Sequence, residues 1–190
     1  MIDENKFRIV KINNLNPQEK ASMQAFSCGT IEQHKEINEY LHIDALEDTF
    51  LGITKTWLFF YENDLIGYFS LTSDRIRVIK SSKLNGKFKD GFLPKMREKQ
   101  IPSIQIHHFA IDERYQKSQE RYGERMMLYC LAFIKEAILS ILGACLITVW
   151  SIKGSTGFYS KMGFEKTGDS RDQVNTSMAF YTADLYAEDE

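Results

Sequence analysis

The amino-acid sequence predicts an α/β (α+β) chain with one domain spanning 1-190, and three observations carry that reading. Phe7-Arg8-Ile9-Val10-Lys11-Ile12 alternates apolar and polar side chains, the period of a half-buried strand. Ala144-Cys145-Leu146-Ile147-Thr148-Val149-Trp150 is a continuous apolar run, as expected for a strand buried on both faces. Between them, Met127, Cys130, Leu131, Ile134, Ile138 and Ile141 recur at helical spacing and give a long amphipathic helix ending at Gly143. With 190 residues, 43% hydrophobic and 13% aromatic, the chain can build one sizeable core and is short for two.

The elements follow in order. After the first strand, Asn16-Pro17-Gln18-Glu19 has the pattern of a helix start: a capping side chain, a proline whose missing N–H costs nothing in the first turn, and an acid three residues beyond the cap. A short helix to about Phe26 is broken by Cys28-Gly29. Thr30-Ile31-Glu32-Gln33 is a second capping box, opening a helix with Ile31, His34, Ile37, Leu41 and Ala45 on one face. Thr56 to Tyr61, the turn Glu62-Asn63-Asp64 and Leu65 to Leu71 make an antiparallel hairpin, which Arg75 to Ile79 extends or follows as a separate strand.

Lys80 to Ser103 is polar and broken by Gly86, Gly91, Pro94 and Pro102, so it reads as a loop or a short helix between loops, a solvated surface or a border of an acceptor groove. Ile104 to Ile111 is an apolar strand and Asp112 to Gly123 a polar turn into the long helix. Gly157 to Met162 is a short helix, Phe164 begins a strand, and Asp169 to Asn175 is a turn. Ser177 to Leu185 is the closing strand, and Ala187 to Glu190 an acidic tail.

A charged fraction of 26%, a formal charge of -2 and a pI near 6.1 create no bulk field that draws in phosphate backbones, so nucleic acid is not the first partner to expect. Cys28, Cys130 and Cys145 are odd in number, widely spaced and set among apolar residues, which suits reduced core thiols. No Cys-x-x-Cys spacing exists, and no metal is implied. The N-terminus is charged where a signal peptide needs an apolar run, and the apolar stretch Met126 to Trp150 is interrupted by Lys135, Glu136 and Gly143. A cytoplasmic protein with no membrane partner is expected.

Several motifs resemble one family. Gly157-Phe158-Tyr159-Ser160-Lys161-Met162-Gly163-Phe164 is similar to the late FY..GF signature of the Gcn5-related N-acetyltransferase (GNAT) superfamily, Ile66-Gly67-Tyr68-Phe69-Ser70-Leu71 to its xxGyxxL strand, and Tyr115-Gln116 to the start of its pyrophosphate turn. The resemblance covers nearly the whole chain. It implies a GNAT fold: a central mixed, mostly antiparallel twisted sheet of about six to seven strands, flanked by helices and splayed at an acetyl-CoA cleft.

Acetyl-CoA is then the cosubstrate. The resemblance implies that backbone groups of Phe109, Ala110 and Ile111 meet the pantetheine arm. Gln116, Lys117, Arg121, Tyr122, Gly123 and Glu124 would form the phosphate turn, and Ser151, Ser155 and Phe158 would complete the cofactor site. The family usually reads Gln/Arg-x-x-Gly-x-Gly/Ala there, because backbone amides must approach the phosphates closely. In this chain only Gly123 fits the last glycine and the turn is longer, so a re-formed loop that still cradles CoA is expected, the alternative being a family member that has lost cofactor binding. Ser151 to Thr156 also lacks the asparagine that many relatives carry, and Ser151 or Ser155 would substitute.

Attack of an amine on a thioester needs a group that titrates near neutrality, and the resemblance implies His107 as the base in preference to His108, since related enzymes often carry a His or Glu there. Adjacent strand residues point to opposite faces, so one histidine should face the cleft and the other should pack beneath it. The resemblance implies Tyr159 as the matching acid for the departing thiolate. The expected reaction is direct acetyl transfer to a primary amine of a small molecule or protein, by a monomer or homodimer. Phe26-Ser27-Cys28-Gly29, the Leu41-His42 helix and Tyr68 to Leu71 are also similar to the branch that includes toxin acetyltransferases acting on aminoacyl-tRNA, which makes tRNA the alternative acceptor. A non-catalytic acyl-CoA-binding or regulatory module is the other.

Overall fold

The structure, a computed structural model, describes residues 3–77, 100–152, 154–169 and 174–186. Most of the Lys80 to Ser103 segment, the middle of the turn before the closing strand and the acidic tail lie outside the described residues. Seven strands form a sheet in the order β1-β2-β3-β4-β5-β7-β6: β1 (Phe7–Lys11), β2 (Lys55–Tyr61), β3 (Asp64–Arg77), β4 (Gln100–Ile111), β5 (Leu146–Ile152), β6 (Glu165–Asp169) and β7 (Asn175–Tyr181). The β1·β2, β2·β3, β5·β7 and β6·β7 pairs are antiparallel and β4·β5 is parallel. The helices are α1 (Pro17–Gln24), α2 (Glu32–Glu39), α3 (Ala45–Leu51), α4 (Tyr122–Phe133) and α5 (Thr156–Lys161). The mixed, mostly antiparallel sheet agrees with the expectation. Two compact units are distinguishable, Met1–Thr72 with His107–Cys130, and Ser73–Ile106 with Leu131–Glu190.

In the first unit β2 is buried on both faces, which explains its unbroken aromatic run. Leu58 and Phe60 join a core with Tyr40, Leu41 and Tyr68, whereas Phe59 packs with Phe7, Ile66 and Met126. The hairpin closes through Glu62, whose φ is 54, and β3 runs unbroken to Arg77. The Asn16 capping box forms as read: the Asn16 side chain accepts from the Glu19 amide and the Glu19 carboxylate accepts from the Asn16 amide, both at 2.9 Å.

The second capping box does not form. α2 starts after Ile31 with no side-chain cap bond, and Ile31 is 55% exposed. Asn38 holds this entry instead, accepting from the Cys28 amide at 2.9 Å and donating to the Gly29 carbonyl at 3.1 Å. A π turn, Tyr40–Asp44, joins α2 to α3 and carries Tyr40, Leu41 and Ala45 into the core.

In the second unit β5 pairs with β7 along its whole length and with Ser103–Ile106 of β4 over Leu146–Val149. Leu146 to Val149 are buried as the apolar run predicts, whereas Trp150 is 47% exposed. The long helix does not reach Gly143: α4 ends at Phe133, a π turn covers Ile134–Ile138, and Ile141 is 84% exposed. The wider turn rotates later residues off the buried face. β7 stops at Tyr181 rather than Leu185, because Thr182 bonds back to the preceding loop, its amide donating to Cys145 O and its hydroxyl to Ala144 O.

Cys28 and Cys130 are buried, Cys145 is half-buried, and all three are free thiols. Among the described residues no His, Cys, Asp and Glu group could hold a metal, and no helix is long and apolar enough to cross a membrane.

Candidate active site

The end of β4 carries the predicted base and backbone contacts. Ala110 is buried in the core beside Tyr68, while Phe109 and Ile111 pack with the opposite cluster around Phe7 and Phe59. β3 can lie this close because residue 67 is glycine: a Cβ there would meet Ala110 O at 2.4 Å.

Alternation fails at the histidines. Expected on opposite faces, His107 and His108 have Nδ1 atoms 2.7 Å apart, and both rings meet Tyr40, at centroid distances of 5.8 and 3.8 Å. The His108 amide donates to Ser70 Oγ on β3 at 3.1 Å. His107 is the more exposed ring and His108 is half-buried. Partial desolvation lowers the pKa of His107, with the Asp48 carboxylate pulling the other way. Burial, and then the charge of His107, push His108 down to about 3.

The turn after β4 is braced rather than loose. The Asp112 carboxylate, 1% exposed, accepts from Arg114 N, Nε and Nη2 at 3.0, 2.8 and 3.0 Å, and the Asp112 amide donates to Ile66 O at 2.9 Å. Gln116 Nε2 donates to Cys28 O at 2.9 Å and Ile111 O at 2.8 Å, so its amide group ties this turn to the loop ahead of α2. Lys117 and Arg121 have φ of 54 and 53, the left-handed backbone that glycine normally supplies. At these two positions the backbone is left-handed without glycine.

Ser118 Oγ is buried with no hydrogen-bond partner among the described residues, an orphan that a bound polar group would explain. α4 begins at Tyr122, four residues on, and the positive end of a helix dipole favours an anion. Glu124 lies 3.8 Å from Arg121 Nη1, and the Tyr122 ring packs edge-on against Tyr115 at 5.3 Å. Two exposed cations, a helix N-terminus and an orphan hydroxyl fit a diphosphate. Sequence reasoning missed Ser118, Ser70 and Tyr40. Ser118 stands in a polar turn just ahead of a helix, a recognisable signal, whereas nothing local marks the other two.

In the second unit Ser151 is 1% exposed and its hydroxyl donates to Ile152 O at 3.2 Å. Ser155 holds the N-cap position of α5 without a side-chain cap bond, and its carbonyl accepts from the amides of Phe158 and Tyr159. The Tyr159 ring, 6% exposed, sits edge-on to Phe158 at 5.2 Å and to Phe164 at 5.6 Å. Gly163, at φ 88, turns the chain where an added Cβ would come within 3.0 Å of the Phe180 ring. The signature thus has a structural sense: two phenylalanines frame one tyrosine, and a glycine makes the turn.

No family model matches the chain, and no curated protein is similar to it in sequence. Among solved structures it is similar to AtaT complexed with acetyl-methionyl-tRNAfMet, with 18% identity, 97% of this chain and 99% of that one covered, and a TM-score of 0.71. The chain has the GNAT fold. A tyrosine-to-phenylalanine mutant of KacT is similar at 18% identity, 95% and 97% coverage and a TM-score of 0.71. A further GNAT-fold neighbour is a tyrosine-to-phenylalanine mutant of the AtaT toxin bound to the C-terminus of the antitoxin AtaR and acetyl-CoA, at 16% identity, 95% and 96% coverage and a TM-score of 0.67.

Proposed function

We propose that this chain is an acetyl-CoA-dependent N-acetyltransferase whose acceptor is the amine of an aminoacyl group carried on tRNA. The observation that carries the reading is the end-to-end likeness to AtaT in complex with acetyl-methionyl-tRNAfMet, which leaves no large part of either chain unmatched. The formal charge of -2 does not oppose it as strongly as the total suggests. Lys80 to Lys99 holds seven basic residues against Asp90 and Glu98, a local charge of +5 within the -2 total.

The roles follow from chemistry. His107 takes the proton of the acceptor amine, directly or through water. The amine nitrogen bonds to the acetyl carbon as the carbon–sulfur bond breaks, and Tyr159 protonates the departing thiolate. Backbone N–H groups near Phe109, Ala110 and Ile111 stabilise the oxyanion. Lys117, Arg121, Ser118 and the first-turn amides of α4 hold the pyrophosphate, and Gln116 fixes the turn that presents them. Phe158 sets the Tyr159 ring, and Ser151 and Ser155 shape the chain that leads to it.

The test is transfer of labelled acetyl from acetyl-CoA to a panel of aminoacyl-tRNAs, with small amines and protein amines alongside. Labelled aminoacyl-tRNA is expected, and Tyr159→Phe should lower kcat by roughly 10²- to 10⁴-fold while leaving the fold intact. Label on small or protein amines alone would overturn the acceptor. Saturable acetyl-CoA binding with no transfer to any amine would replace the enzyme by an acyl-CoA-binding module.

A further inference from the structure

We infer that His108 is a positioning residue: its Nδ1 accepts a hydrogen bond from Nδ1–H of His107 and so holds His107 in the tautomer whose Nε2 lone pair is open to an incoming proton. The inference deepens the proposed reading, because it names what makes His107 a competent base.

Two imidazole nitrogens 2.7 Å apart share one hydrogen. If both were protonated the hydrogens would collide, and if neither were the lone pairs would repel. One ring therefore donates and the other accepts. Were His108 the donor, His107 would spend its Nδ1 lone pair on the bond and carry its hydrogen on Nε2, with no lone pair left for the amine. With His107 as donor, its Nε2 is bare on the more exposed of the two rings.

The surroundings favour this second arrangement. His108 is stacked on Tyr40 at 3.8 Å with 17° between the planes, so it is a fixed reference for its neighbour. Ser70 Oγ accepts from the His108 amide at 3.1 Å and lies 3.4 Å from His108 Nδ1, a longer approach than the 2.7 Å of His107, so His107 has the stronger claim on that lone pair. Once His107 takes a proton on Nε2, the imidazolium keeps its Nδ1–H bond to a neutral His108, and such charge-assisted bonds are the stronger kind.

The other titratable groups around the pair agree. Asp48 favours charge on His107, Tyr40 stacks on His108, and the Tyr68 hydroxyl is committed to Ile37 O at 2.7 Å. Burial disfavours charge on His108, so the proton belongs on the outer ring. The arrangement places a neutral imidazole where many acid–base sites place a carboxylate.

The experiment is long-range proton–nitrogen NMR of the full chain with ¹⁵N-labelled histidine, which distinguishes Nδ1–H from Nε2–H imidazole directly. The wild type should show His107 as Nδ1–H and His108 as Nε2–H. His108→Asn offers an acceptor oxygen near the place of Nδ1 and should keep both the His107 tautomer and most of kcat. His108→Leu has no acceptor: His107 should revert towards the Nε2–H form and kcat should fall by up to about 100-fold, the lower end of what a positioned base contributes, with KM for acetyl-CoA unchanged. His107 as Nε2–H in the wild type, or an unchanged tautomer in a folded His108→Leu protein, overturns the inference. The expected tautomers in a protein that transfers no acetyl group would uphold the pairing and remove the acetyltransferase reading, so the two failures are distinct.

Discussion

Gly67→Ala tests the passage of β4 over β3, on which the position of Phe109 to Ile111 depends. The added Cβ would lie 2.4 Å from Ala110 O, 2.9 Å from Met126 Sδ and 3.0 Å from Ile111 Cδ1, against about 3.4 Å for ordinary contact. The two side chains can swing away, but the carbonyl cannot, because the strand end is tied by the Asp112 amide to Ile66 O and by Gln116 to Ile111 O. Relief therefore needs a backbone movement of about 1 Å, and overpacking on that scale costs roughly 1–3 kcal/mol. For a chain of this size that is a fall in Tm of about 2–12 °C. Denaturant titration followed by circular dichroism reads the loss, with the m-value unchanged, and calorimetry should show weaker acetyl-CoA binding in the same variant. Gly143→Ala is the control, since a Cβ there meets nothing within 4 Å and should leave stability within about 0.5 kcal/mol of wild type. A Gly67→Ala protein as stable as the Gly143→Ala protein would refute the close-approach argument.

Two more outcomes follow from the site. The folded chain holds His108 at about 3 against an ordinary 6.5, so between those values the unfolded state binds a proton that the folded state refuses. Stability is full above pH 6.5 and falls as the pH drops towards 3, by about 2 kcal/mol at pH 5, and His108→Asn should flatten that slope in denaturant titrations at pH 5 and 7.5. Gly123→Glu brings bulk and negative charge to the first turn of α4, so calorimetric titration should show acetyl-CoA affinity lost while the melting curve changes little. Unchanged affinity would place the phosphates elsewhere.

What was legible in the sequence is what local pattern encodes. Asn16 and Glu19 form their box because both partners lie within four residues, and Leu146 to Val149 are buried as the apolar run reads. Thr30 matched the same pattern but lost its place to Asn38, which grips Cys28 and Gly29 from a turn further along the chain. The end of β7 is likewise set at a distance, by Thr182 bonding to Ala144. The π turn at Ile134–Ile138 leaves no mark in composition, so the helical period ran on in the sequence past the point where the helix stops. In the site, His107 and Tyr159 were singled out by residue type and context. The contact between the two histidines was not, since it rests on a break in alternation supported by Ser70, 38 residues away.

The turn from Asp112 to Gly123 shows most clearly how backbone conformation can be held without the residues that usually supply it. A non-glycine residue in the left-handed region costs about 1–2 kcal/mol and persists only where its surroundings enforce it. Here Asp112 and Gln116 brace the turn on one side and the Arg121 amide closes it onto Ser118 O at 3.2 Å on the other, so φ is held at Lys117 and Arg121 without glycine. On the proposed reading the strain has a use, because each position gains a cation that glycine could not offer. Lys117→Gly should therefore separate the two effects: the relieved backbone raises stability by roughly 0.5–1 kcal/mol after the entropy of the added glycine, while loss of the ammonium weakens acetyl-CoA binding by about tenfold, and by less as salt is raised. Thermal melts and calorimetry on the same protein read both signs. A gain in stability with full affinity would make Lys117 an ordinary surface residue in a strained turn and would leave the pyrophosphate to Arg121, Ser118 and the helix amides.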